Sequence, residues 1–150
     1  MKKILLAIDS SEKSQKAVEK TKDLASSLEA EVTIITVVDE SAYFGMPDVS
    51  SNISPSQIQE IVEESKKQAE KQGRKLLDEA ENYLTEDGVK IDTVLRSGDS
   101  ADNICDYAEE GSYDLIILSD KGEGGVKRFL LGSTSDRVVR HAETSVLIVK

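Results

Sequence analysis

The chain has 150 residues, of which 38% are hydrophobic, and a formal net charge of −10. This length is enough for one domain with a substantial hydrophobic core. The acidic balance excludes nucleic acid and anionic membrane surfaces as principal partners, because both would repel the chain.

The first part of the chain predicts a strand, a helix and a second strand. Ile4 to Ile8 is a continuous apolar run that ends at Asp9, as expected for a central strand buried on both faces. Val32 to Val38 repeats this pattern with β-branched residues. Between the two runs, apolar or small residues recur at helical spacing, at Ala17, Val18, Thr21, Leu24, Ala25 and Leu28. Such a unit implies a parallel pair of strands joined by a right-handed crossover.

A long helix is predicted after a loop at residues 39 to 54. Ser54-Pro55-Ser56-Gln57 has the pattern of a capping box with proline at the first helical position. The helix extends to about Leu84, and its middle, Glu63 to Lys75, is highly charged and includes Gly73. The first half therefore either presents a solvated charged face or stands partly off the body and contacts a partner.

The second half of the chain predicts three more strands and two more helices. The strands are Val89 to Leu95, with alternating polarity that suits a sheet edge, then Asp114 to Leu118 and Ser145 to Val149. The helices carry Ile104, Cys105 and Ala108, and then Val138, Val139 and Ala142. Cys105, the single cysteine, lies in apolar phase and is expected to be a buried structural thiol. Strands that alternate with helices predict an α/β fold with a doubly wound parallel sheet.

The stretch from Ser119 to Ser135 follows an apolar strand and precedes a helix. Its glycines, at 122, 124, 125 and 132, allow the backbone to approach a ligand closely. Gly132-Ser133-Thr134-Ser135 opens the helix, whose first N–H groups are available to donate and whose dipole favours an anion. These residues predict a phosphate-binding loop, with a flexible connection as the alternative interpretation.

The spacing of these glycines resembles the nucleotide-binding signature of the universal stress protein family. That signature is Gly, two residues, Gly, nine residues, Gly and then Ser or Thr. Gly122, Gly132 and Ser133 match it, whereas Ser119 stands where the first glycine is expected. The resemblance covers the whole chain and implies one universal stress protein domain at residues 1–150.

The resemblance also implies a fold, which is a five-stranded sheet of order 3-2-1-4-5 with helices on both faces, the adenine nucleotide alpha hydrolase-like arrangement.

Carried over position by position, the resemblance implies an ATP-binding site at the carboxyl ends of strands one and four. The implied contacts to the nucleoside and phosphates are Ala7, Ile8, Asp9, Val38, Leu118, Ser119, Gly122, Gly132, Ser133, Thr134 and Ser135. Asp9 would accept from adenine or ribose, although an aspartate at this position also serves to cap the next helix. Mg²⁺ or Mn²⁺ would enter through phosphate oxygens, since the sequence contains no obvious cluster of metal ligands.

Two functions remain open for this sequence. The first is a regulatory ATP-binding protein of the stress response, which the sequence Gly132-Ser133-Thr134-Ser135 favours. The second is a nucleotide-independent dimeric interaction protein of the same fold, which Ser119 and the acidic Asp120 and Glu123 favour. No obvious set of groups for phosphoryl transfer is present, so we expect at most slow ATP hydrolysis or autophosphorylation, and no catalytic residue is assigned.

The closing strand predicts a homodimer. Ser145 to Val149 is apolar and suits a sheet edge, and the resemblance implies that it pairs with the same strand of a second subunit.

The predicted location of the protein is the cytoplasm. The apolar run after Met-Lys-Lys is broken by Asp9 and is shorter than the usual core of a signal peptide, about 7 to 15 residues. No stretch of the sequence is suited to span a bilayer, so no membrane partner is expected.

Overall fold

A computed structural model describes residues 2–39, 53–85, 88–120 and 131–150. Helices and strands alternate along these parts of the chain. They are β1 (Lys3–Ala7), α1 (Glu12–Leu28), β2 (Glu31–Val38), α2 (Pro55–Thr85), β3 (Ile91–Ser97), α3 (Ser100–Glu110), β4 (Leu115–Ser119), α4 (Ser133–His141) and β5 (Ser145–Val149).

The strands form one parallel sheet in the order β3-β2-β1-β4-β5, so the predicted strand order is confirmed. Ile4 of β1 lies opposite Val32 of β2 on one side and Leu115 of β4 on the other. The chain winds outward from β1 to β3 and then returns to the other side of β1. Strand order therefore reverses between β1 and β4, which is where open sheets of this kind bind ligands.

Two hydrophobic cores lie on opposite faces of the sheet, and β1 contributes to both. Ile4, Leu6 and Ile8 pack into the core beneath α1 and α2, whereas Leu5 and Ala7 pack into the core beneath α3 and α4. Successive side chains of a strand point to opposite faces, so a continuous apolar run suits a strand covered on both sides. The prediction that this run forms a central, doubly buried strand is confirmed.

The long helix α2 begins with the predicted capping box. The Ser54 main-chain N–H donates to Gln57 Oε1 at 2.9 Å, and the Gln57 N–H donates to Ser54 Oγ at 3.4 Å. The buried residues of α2 start only at Gly73 and continue with Leu77, Ala80 and Leu84. The first half of the helix thus packs little against the rest of the described chain, in agreement with its charged sequence.

Three details differ from the expectations or refine them. Strand β3 ends at Ser97 instead of Leu95, because its pairing with β2 continues to Ser97. The Gly98 N–H then donates to the Val38 carbonyl oxygen. Val139 is exposed on α4 and does not belong to its apolar face. Cys105 is buried as predicted, and burial raises the pKa of its thiol.

No helix in the described ranges is both long enough and apolar enough to cross a membrane.

Candidate functional site

A cleft of about 660 Å³ opens at the carboxyl ends of β1, β2 and β4. The turn before α1, the starts of α3 and α4 and one face of α2 complete its walls. The residues that line it are Ala7, Ile8, Asp9, Ser10, Ile35, Thr36, Val37, Val38, Asp39, Ala69, Gln72, Gly73, Leu76, Ser100, Ile104, Leu118, Ser119, Ser133, Thr134 and Ser135. This volume lies within the range of small-molecule sites, about 300 to 1,000 Å³.

Nine of the eleven residues assigned from the sequence line this one cleft. They are Ala7, Ile8, Asp9, Val38, Leu118, Ser119, Ser133, Thr134 and Ser135. Gly132 is the N-cap of α4, directly before the lining residues, and is not itself part of the wall. Gly122 lies outside the described residues.

Asp9 orders the turn that leads from β1 into α1. Its Oδ1 accepts from the Ser11 N–H at 2.8 Å, and its own main-chain N–H donates to Ser14 Oγ at 3.1 Å. This bond from an aspartate to the amide two residues later is typical of an Asx turn. Asp9 therefore serves the start of α1, which was the alternative interpretation of this residue, and it also lines the cleft.

The end of β2 is held by two hydrogen bonds that cross between strands. Thr36 Oγ1 donates to Ile8 O at 2.9 Å, and the Gly98 N–H donates to Val38 O at 3.0 Å. Gly98 has a φ of +117°, a conformation that side chains disfavour. The carbonyl of Val38, one of the residues assigned to the site from the sequence, thus already accepts one hydrogen bond and keeps one further lone pair.

Ser119 ends β4 in ordinary extended backbone and is buried. Positive φ among the described non-glycine residues occurs only at Glu29 and Ser112, so a serine at this signature position carries no such backbone strain. Its carbonyl accepts from Ser135 Oγ at 2.9 Å. The single hydroxyl proton of Ser135 is therefore used inside the protein, and this buried hydrogen bond ties α4 to β4.

The first three amides of α4 belong to residues that line the cleft, and they have no acceptor within the helix. The first intrahelical bond runs from the Asp136 N–H to Gly132 O at 2.8 Å. The amides of Ser133, Thr134 and Ser135 precede it and have no acceptor within the helix. A glycine N-cap has no side-chain oxygen to accept from them. The sequence prediction of a donor-rich helix start is consistent with this geometry.

An ion pair between α3 and α4 was not anticipated. Arg137 Nη1 contacts Asp99 Oδ2 at 2.6 Å, and its Nη2 contacts Asp102 Oδ1 at 2.9 Å. Asp99 also caps α3 by accepting from the Asp102 N–H at 2.9 Å. The hydrogen bond from Arg137 lowers the pKa of Asp99, so this carboxylate remains charged over a wider pH range. The ion pair links the N-terminal turn of α3 to the middle of α4, the two helices that border the cleft.

The wall formed by α2 was also missed. Ala69, Gln72, Gly73 and Leu76 line the cleft, and the first three lie in the charged stretch Glu63 to Lys75, which was not expected to contribute to a site. Gly73 permits close packing, since a Cβ there would lie 2.7 Å from Leu95 Cδ1. The available signal was the glycine itself, because an isolated glycine in a helical pattern usually has a packing or functional reason.

The fold is a doubly wound α/β sheet, and its cleft lies at the switch point where sheets of this class bind small ligands. The sequence model described as "Universal stress protein family" matches residues 1–150. Universal stress protein MJ0531 of Methanocaldococcus jannaschii is 36% identical over 99% of this chain and 82% of its own length. The chain belongs to the universal stress protein family.

Solved structures share the fold. Hypothetical protein MJ0577 superposes with a TM-score of 0.83 at 26% identity, covering 99% of this chain and 95% of that one. A universal stress protein in complex with cAMP has a TM-score of 0.66 at 23% identity, with coverages of 99% and 96%. The Archaeoglobus fulgidus protein in complex with dAMP has a TM-score of 0.65 at 17% identity, with coverages of 100% and 98%.

Proposed function

We propose that this protein is a regulatory stress-response protein that binds an adenine nucleotide such as ATP in the cleft between β1 and β4. The observation that carries the proposal is that nine of the eleven assigned residues line one cleft of suitable volume, with amides of α4 that have no intrahelical acceptor at one end. Consecutive N–H groups at a helix start favour a phosphate. The cAMP and dAMP complexes of proteins with this fold support an adenine nucleotide as the ligand.

Each part of the cleft has a proposed role in binding. Ala7, Ile8 and Asp9 would border the nucleoside, and Val38 would offer main-chain groups to the base. Leu118 and Ser119 would lie along the ribose. The phosphates would be held by the residues of the glycine loop and the helix start, which are Gly122, Gly132, Ser133, Thr134 and Ser135. Because the Ser135 hydroxyl donates to Ser119 O, its part in phosphate binding would fall to its main-chain N–H.

Calorimetric titration of the whole chain tests this proposal. We expect saturable binding of AMP and of ATP with Mg²⁺, and weaker binding of GMP and GTP at the same concentrations. The guanine nucleotides carry the same phosphates, so they control for binding that depends on charge alone. The absence of heat with every nucleotide at two temperatures, in a protein with a cooperative melting transition, would contradict the proposal and favour a nucleotide-independent interaction protein.

We further propose that the protein is a homodimer formed through β5. This strand is an edge of the sheet and pairs with β4 on one side. Its residues from Val146 to Val149 are only partly buried, and an open apolar edge readily pairs with another strand. Size-exclusion chromatography with light scattering should return twice the chain mass of 16.4 kDa. A mass of 16.4 kDa throughout a concentration series would contradict the dimer.

A further inference from the structure

Asp120 stands between the end of β4 and the start of α4. Its main-chain N–H donates to Val149 O at 2.9 Å, which holds the backbone against β5. Its side-chain Oδ1 accepts from the Gly132 N–H at 3.3 Å. A carboxylate of the protein therefore contacts the amide directly before the open amides of α4. The Gly132 amide is therefore not free to donate to a phosphate, because the Asp120 carboxylate already accepts from it.

The charge of Asp120 is not balanced by the neighbouring cations of α4. Arg137 is paired with Asp99 and Asp102, and Arg140 is paired with Asp136 at 2.9 Å. Within the described parts of the chain, no lysine, arginine or histidine forms an ion pair with Asp120. The carboxylate thus adds a negative charge to one side of an otherwise electropositive helix start.

Asp120 does not itself line the cleft, but its carboxylate contacts the Gly132 amide, directly before the lining residues of α4. A phosphate chain at this helix start would therefore lie close to that carboxylate. Repulsion between like charges grows with the number of charges on the ligand, and each further phosphoryl group adds negative charge. The side chain of Asp120 is only half-exposed, so the effective dielectric constant is lower than that of water and the repulsion is stronger. The repulsion therefore weakens the binding of AMP least and the binding of metal-free ATP most.

We propose that Asp120 sets the phosphate preference of the cleft, so that AMP binds readily and ADP and ATP bind well only with Mg²⁺. This inference rests on the proposed nucleotide-binding function. No group of three or more His, Cys, Asp or Glu side chains among the described residues could hold a metal ion. Mg²⁺ would therefore enter the cleft bound to the phosphate oxygens, whose negative charge it neutralises. Together with those oxygens and water, one carboxylate of the protein is enough to ligate Mg²⁺.

The test is calorimetric titration of AMP, ADP and ATP, each in EDTA and in Mg²⁺, with wild type and Asp120→Asn. Asparagine keeps an oxygen that accepts from the Gly132 N–H, so the variant removes the charge with little change of shape. Removing the charge should raise the affinity for metal-free ATP about tenfold, and change that for AMP by less than about threefold. The gain in ATP affinity on adding Mg²⁺ should fall from about tenfold to about twofold or less.

Glu143→Gln is the matched control, because it removes one exposed negative charge beyond the opposite end of α4. It should leave the ratio of AMP to ATP affinity as in wild type. If wild type and Asp120→Asn both bind nucleotides with the same ratio of AMP affinity to ATP affinity, this inference is overturned while the proposed function stands. If no nucleotide binds to the wild type, the proposed function fails and this inference fails with it.

Discussion

Ser133→Glu should weaken nucleotide binding about 30-fold while leaving the fold intact. Ser133 is exposed, lines the cleft and is the first residue of α4. A glutamate there would place a carboxylate where we propose the phosphates bind. Two unit charges 4 Å apart repel by about 4 kcal/mol at an effective dielectric constant of about 20, and by about 1 kcal/mol in water. An intermediate value of about 2 kcal/mol corresponds to a loss of affinity of about 30-fold.

The same substitution should not weaken the protein itself. A negative side chain in the first turn of a helix interacts favourably with the helix dipole, by about 0.3 to 1 kcal/mol. The melting temperature should therefore stay level or rise slightly. Ser133→Gln is the control, because glutamine has the shape of glutamate without its charge, and it should bind nucleotide within about threefold of wild type. Calorimetry and thermal melting of both variants check these expectations, and equal binding by Ser133→Glu and Ser133→Gln would contradict a phosphate site at this position.

Leu84→Ala should cause a large loss of stability. Leu84 lies near the end of α2, is fully buried and belongs to the core shared with α1 and the sheet. Removing its side-chain atoms loses their transfer free energy and leaves a cavity, which together cost about 2 to 5 kcal/mol. For a chain of this size, such a loss lowers the melting temperature by roughly 5 to 15 °C. Urea denaturation followed by circular dichroism measures the change in the free energy of unfolding.

Leu28→Ala is the matched control for this prediction. Leu28 is the last residue of α1, and 46% of its surface is exposed. The same side chain is removed there, but little buried surface is lost, so the free energy of unfolding should fall by less than about 1 kcal/mol. A similar loss for both variants would show that the end of α2 is not anchored by Leu84 as described.

Local sequence patterns predicted most of the fold. The continuous apolar run Ile4 to Ile8 indicated a doubly covered strand, and Ser54 with Gln57 indicated a helix start, because both depend on residues close together in the chain. The strand order came from the resemblance to the family, since several orders satisfy the same pattern of strands and helices. The glycine and hydroxyl residues before α4 likewise indicated one side of the cleft.

The missed features depend on contacts between distant residues. Arg137 and Asp99 are 38 positions apart, and nothing in either local pattern selects the partner. The hydrogen bond from the Ser135 hydroxyl to the Ser119 carbonyl forms only when α4 is docked on β4, so no local pattern indicates it. Gly73 marked a close approach without indicating which surface it meets. In each case the sequence supplies the chemical group, and only the assembled tertiary structure supplies its partner.

The central position of β1 has a consequence for the order in which the molecule can assemble. Its partners are far apart in the chain, because Ile4 lies opposite Val32 on one side and Leu115 on the other. During synthesis from the amino terminus, β1 and β2 can pair early, while the second edge of β1 has no native partner until β4 is made. Such distant pairings slow folding, because a long loop must close before the contacts form. The cleft needs β4 and the start of α4, so the nascent chain cannot complete it before Ser135 has been synthesised.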